Sequence, residues 1–102
     1  MAKTLELAQN IKRRYDHNQN KIVLKEKYHA KMIFSYNDGM WEAGPQLLNI
    51  LNLAQEQTMV LLDNFDTPIM VDVHELRELA YKIRQEQMNQ WQDEWNQIRI
   101  KR

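Results

Sequence analysis

The chain contains no cysteine in its 102 residues, so neither a disulfide framework nor a thiolate metal site can form. No apolar run approaches the ~20 residues of a membrane-spanning helix. The start, MAKTLELAQNIKRR, lacks the apolar core of a secretory signal and the Arg-rich, acid-poor length of a transit peptide. These absences predict a soluble intracellular protein with no membrane partner. Glycine and proline number two each, Gly39, Gly44, Pro45 and Pro68. All four fall in the middle of the chain, so nothing at either end forbids a long helix. Two isolated glycines make no phosphate-binding loop. Serine occurs once, at Ser35 inside a predicted strand, and without a nucleophile–base pair no acyl-transfer site can be assembled. No residues nominate themselves for catalysis, and the sequence reads as non-enzymatic and without a cofactor.

The most informative absence is of positive charge. Between Met32 and Glu75 there are seven Asp/Glu and no Lys or Arg. Residues 1–31 hold eight Lys/Arg against three Asp/Glu, and residues 76–102 hold six against four. The neutral total therefore hides a basic–acidic–basic layout with net charges of +5, −7 and +2. Such layouts govern docking and association rather than fold. The length suits one domain, able to bury roughly two-thirds of its unfolded surface without staples. Its parts are a basic helical arm (1–31), an acidic β-rich head (32–72) and a C-terminal helix (73–102).

Asp72 and Glu75 have capping-box spacing, and Val71 and Leu76 are placed for a hydrophobic staple. Leu76, Leu79, Ala80, Ile83, Trp91, Trp95 and Ile98 then follow at helical spacing, thinning between Arg84 and Gln87. A helix from Val73 to Arg99 would be roughly 40 Å long, too long for a compact domain whose radius of gyration is near 13 Å. In the N-terminal arm Leu5, Ala8, Ile11 and Tyr15 share a face, and Ile22 resumes it after the polar run 16–20. One helix from Thr4 to Ala30 is expected. Between the arms, Met32–Tyr36 and Met40-Trp41 flank Asn37-Asp38-Gly39, three turn residues that suit a hairpin with Gly39 left-handed. Gly44-Pro45 opens a short helix with Leu47, Leu48, Leu51 and Ala54 facing the core. Thr58–Leu62 and Ile69–Val71 read as strands around the turn-rich loop 64–68.

His17, His29 and His74 lack the spacing of a metal site, and His74 reads as a solvated first-turn side chain. Asp63, Asp66 and Asp72 lack the pattern of an EF-hand loop, and turn aspartates usually bond their own backbone. Lys12, Arg13 and Arg14 are candidate phosphate contacts for nucleic acid. The neutral total charge favours a solvated helix face instead, and salt-sensitive contact with the acidic segment of a second copy is a further alternative. Trp91 and Trp95 stand one turn apart in an otherwise polar stretch. Either they pack on the N-terminal helix, or with Met88 and Ile98 they form a contact patch, since Trp is enriched among binding hot spots. Met32, Met40, Met59, Met70 and Met88 are expected to fill gaps in the core.

The runs Lys31–Trp41 and Leu61–Val71, with the closing Glu-Leu…Trp helix, carry a resemblance over most of residues 27–95. The chain resembles small uncharacterised proteins encoded by contractile-tailed bacteriophages, some of them beside virion or tail-assembly genes. The resemblance implies a structural or assembly role in the host cytoplasm or the virion, and it carries over no catalytic residues.

The fold expected is α+β, with two long helices paired and a small antiparallel sheet and one short helix between them. The function expected is an interaction protein, a phage virion or assembly component, that self-associates as a homo-oligomer or joins other virion proteins. The alternative is a small nucleic-acid-binding or host-regulatory factor using the basic arm. A small enzyme ranks last.

Overall fold

A computed structural model describes residues 2–100, with side chains described from 16 to 99. Helix α1 (Ala2–Lys31) leads into a hairpin of β1 (Ile33–Tyr36) and β2 (Gly39–Glu42). Helix α2 (Pro45–Leu53), a second hairpin of β3 (Thr58–Leu62) and β4 (Pro68–Asp72), and helix α3 (Val73–Ile100) follow. This is the expected α+β architecture, with the strands divided into two separate two-stranded antiparallel sheets. The molecule is a rod of 67 × 24 × 23 Å with a radius of gyration of 19.5 Å, against roughly 13 Å for a compact domain of this length.

The N-terminal arm is a single helix, because the polar run 16–20 contains no residue that breaks one. Its inward face is not the one the apolar spacing marks. Leu24, Tyr28 and Met32, four apart, are buried, whereas Ile22 is 47% exposed. At 100° per residue Ile22 lies nearly opposite Leu24. The side chains of Leu5, Ala8, Ile11 and Tyr15 lie outside the described residues. Helix α3 starts where its cap places it, the Glu75 amide donating to the Asp72 carboxylate at 3.0 Å. Val71 and Leu76, the two halves of the staple, are both buried in the same core cluster.

The first hairpin corrects the sequence reading at its turn. Asn37 (φ 52°) and Asp38 (φ 64°) are the left-handed residues, which makes a two-residue turn of the primed type that matches strand twist. Gly39 lies in β2, paired with Tyr36, and has no positive φ. Its lack of a side chain serves close approach. A Cβ there would collide with the Ile69 side chain and come within 3.1 Å of the Trp41 indole nitrogen and 3.2 Å of the Asp63 Cβ.

Trp41 is the largest buried side chain, and its indole donates to the Tyr36 carbonyl at 2.9 Å. Around it gather Leu51 of α2, Val71 of β4, and Val73 and Leu76 at the start of α3. A second cluster of Met32, Ala43, Leu48 and Ala80 joins the head to the helix pair. Met32 thus fills the core as expected and Met40 and Met59 are half-buried, but Met70 is 56% and Met88 37% exposed. Met70 alternates outward on β4, and Met88 lines a groove together with Trp91 and Trp95 at the edge of the α3 inward face.

The polar gap in the α3 stripe has a structural use. Arg84 donates to the Ala43 carbonyl at 3.2 Å and lies 3.6 Å from the Met32 sulfur. One turn pair earlier, Arg77 donates to the Leu51 carbonyl at 2.6 Å. Helix α2 has no basic residue in its last turn, so α3 supplies the cation that its C-terminal carbonyls favour.

Asp63 ties the two hairpins together. One carboxylate oxygen accepts the Phe65 and Thr67 amides at 2.9 Å each, and the other accepts the Met40 amide of β2 at 3.0 Å. The Asn64 amide donates to the Met40 carbonyl, and Asn37 donates to the Met70 carbonyl. The amides of Thr67, Met40 and Phe65 hold the Asp63 carboxyl below its ordinary range, against an opposing push from burial.

Two outcomes follow from this packing. Gly39→Ala will destabilise the fold by about 1–3 kcal/mol, as overpacking does, because the Trp41 ring and Asp63 are pinned by hydrogen bonds even if Ile69 rotates away. A denaturant titration measures this. Asp63→Asn will lower the unfolding midpoint, since an amide placed for Phe65 and Thr67 turns its NH2 toward the Met40 amide. Because the folded carboxyl titrates below its unfolded value, its contribution is intact above the unfolded pKa and is lost as pH falls through the folded one. Denaturant midpoints measured across the acid range will therefore fall more steeply for the natural chain than for Asp63→Asn.

Candidate functional site

Helices α1 and α3 are antiparallel, and their seam holds most of the aromatic rings outside the head. Arg84 lies level with Met32, Trp91 with Tyr28, and Trp95 with His17. Trp91 stacks on Tyr28 with centroids 5.7 Å apart and planes 7° from parallel, and His29 meets its edge at 6.0 Å. Trp95 meets the His17 ring edge-on at 4.7 Å, and the Lys21 ammonium lies 5.7 Å from its centroid. Such aromatic and cation–π pairs add to the area they bury.

A polar clasp flanks the stack. The Tyr28 hydroxyl donates to Glu94 at 2.5 Å, and Lys27 donates to both Glu94 oxygens at 2.9 Å. The Lys27–Glu94 pair is 43% and 32% exposed, and an exposed ion pair is worth little alone. The phenol makes the arrangement directional. Its hydrogen bond to Glu94, helped by burial and by the charges of Glu94 and Asp93, pushes Tyr28 up to about 12 from 10.0. The same hydrogen bond, then that from Lys27, pulls Glu94 below its ordinary value.

Both tryptophans therefore pack within the chain, but neither is sealed. Each remains half-buried, as does Ile98 on the same face. With the exposed Met88, the tryptophans line a shallow groove bordered by Gln85, Asn89 and Gln92. The four candidate contact residues thus share one stretch of α3, three of them half-covered by α1 or beside it and one open. Lys12, Arg13 and Arg14 have side chains outside the described residues.

Tyr28, Glu94, His17 and His29 complete the seam and were not nominated from the sequence. Leu24, Tyr28 and Met32 recur every fourth residue, a signal available in principle but hidden by the competing stripe through Ile22. The Glu94 partnership spans 66 residues and leaves no local trace. His29 packs on Trp91, and His74 pairs with Glu78 at 3.1 Å in solvent. Among the described residues no group of three His, Asp or Glu side chains is placed to hold a metal, and no helix is long and apolar enough to cross a membrane.

The head has a second open surface. On β3–β4 the inward residues are Met59, Leu61, Ile69 and Val71. The outward ones include the cross-strand pair Val60 and Met70 and, one step on, Leu62 paired with Pro68. Val60, Leu62 and Met70 are each more than half exposed, and Phe65 at the hairpin tip is 75% exposed. A groove lined by Glu42, Leu47, Ile50, Leu62 and Asn64 adjoins this face.

No protein-family model, no curated protein and no solved structure matches the chain.

Glu94→Gln removes the charge that holds the Tyr28 proton. Tyr28 raised above its unfolded value contributes stability that is complete below about pH 10 and is lost as pH rises toward about 12. An ultraviolet titration will show Tyr28 ionising late in the natural chain and earlier in Glu94→Gln.

Proposed function

We propose that this chain is a non-enzymatic interaction protein, a component of a bacteriophage virion or of its assembly, that works by self-association through the open side of the helix seam. The observation that carries the reading is the half-buried state of Trp91 and Trp95. Their inner edges are used by Tyr28, His29 and His17, while their outer edges and Met88 border a groove. Large apolar rings bounded by neutral amides suit the centre of an interface, where charged side chains are depleted and aromatics and Met enriched. The rod supports the same reading, because a helix pair standing clear of its head offers a long lateral face. The occupant is a second copy, since the same chain carries the basic arm that complements its acidic head. The phage assignment itself rests on the sequence resemblance.

Light scattering after size-exclusion chromatography tests this at micromolar concentration. The natural chain is expected to run as a dimer or larger species at low salt and to weaken at high salt. Met88→Glu should return it to a monomer while leaving unfolding stability within about 0.5 kcal/mol, as for an exposed substitution. A natural chain that is monomeric at both salts overturns the reading. An unchanged Met88→Glu assembly moves the interface off this groove.

A further inference from the structure

We propose that in the self-associated form the outward face of the β3–β4 hairpin is covered by the N-terminal segment of α1 from a second, antiparallel copy. This rests on the self-association reading above and names the second contact it makes.

Three observations converge. The first is the character of the surface. Val60, Leu62, Phe65 and Met70 form an apolar face on a two-stranded ribbon that is exposed on that side among the described residues. Its charged neighbours, Glu56, Asp66 and Asp72, are all acidic, within a segment from 32 to 75 free of Lys and Arg. A suitable occupant is therefore apolar along one stripe and basic beside it. The second is that this chain contains such a segment. Residues 2–16 are helical and combine Leu5, Ala8, Ile11 and Tyr15 at helical spacing with Lys3, Lys12, Arg13 and Arg14.

The third is reach. At 1.5 Å per residue α1 is about 45 Å long, which leaves roughly 22 Å of the rod for the head. The tryptophan levels on α1, from His17 to Tyr28, centre near residue 22. From there the start of α1 is about 31 Å away, and the far end of the head is about 36 Å away in the other direction. A two-fold axis through the tryptophan groove exchanges these directions. It lays each arm along most of the other copy's head. Parallel association instead sets two −7 heads side by side. Because a two-fold contact is self-complementary, both arms and both heads are used and the assembly closes as a dimer.

The absence of cysteine allows one clean label. A nitroxide is attached at Ala8→Cys, and labelled copies are mixed with isotope-labelled natural copies, so that any broadening arises between chains. In samples that are dimeric by light scattering, the amides of residues 58–72 in the natural copies should lose intensity and regain it when the nitroxide is reduced. The same label at Gln9→Cys guards against one modified position disturbing the contact, and it should broaden the same amides. Broadening confined to the helices in a confirmed dimer overturns the arm-on-head contact while leaving self-association intact. A ladder of larger species overturns the closed arrangement. A monomer removes both readings together.

Discussion

The antiparallel seam between α1 and α3 is the constraint on which the rest of the molecule depends. A long helix of largely polar sequence gains most of its stability by burying one face, not from propensity. The head, roughly 22 Å deep by the rod's dimensions, cannot cover a 30-residue helix. Only α3, with 28 residues, has the length to do so. It begins at the head because Asp72 caps it there, and it leaves in the direction from which α1 arrived. Stacking of Trp91 on Tyr28, the Glu94 clasp and the His17–Trp95 edge contact are the contacts that follow from that geometry.

A head with acidic groups and no Lys or Arg of its own cannot satisfy its carboxylates with internal ion pairs. The structure answers in two ways. Asp63, the one buried carboxylate among the described residues, is satisfied by three backbone amides from both hairpins, so the charge that is hardest to bury becomes the clasp between sheets. Cations then enter from outside the segment, with Arg77 on the last turn of α2 and Arg84 on the Ala43 carbonyl, both projecting from α3. The charge asymmetry visible along the chain is thus partly a division of labour within the fold. The remainder faces solvent as an uncompensated field, and fields of that kind steer association.

What was legible in the sequence was local. The Asp72 cap, the Val71–Leu76 staple, Gly44-Pro45 before α2 and the alternating strands all depend on neighbours a few residues away, and each sits where its pattern placed it. The α3 stripe was legible because every apolar residue in it served one face. On α1 two stripes compete, and periodicity alone does not say which one a partner helix will choose: the stripe through Ile22 is the more apparent, yet Leu24 and Tyr28 are the residues buried. Gly39 misled for a related reason. Glycine after Asn-Asp suggests a left-handed turn, yet its role is to let Asp63 and Ile69 of the other hairpin approach, a contact with no sequence signature. The clasp at Glu94 was equally invisible, because its partners Tyr28 and Lys27 lie more than sixty residues away.

The two open apolar surfaces have a common origin in this economy of elements. Two strands make a ribbon with two faces, and a chain with one short helix per head can cover only one of them. Two helices make a seam with two grooves beside it, and no other described element is long enough to fill either. A monomer would blunt such faces with charge, as edge strands and exposed helices commonly do. Here β3 carries no charge at all, and the groove beside Trp91 and Trp95 is bordered by neutral amides, while four of the arm's eight cations, at positions 3, 12, 13 and 14, belong to the half of α1 farther from the head. A surface left apolar at two separated places, in a rod with basic residues toward one end and an acidic head at the other, is consistent with burial by an identical neighbour running the other way.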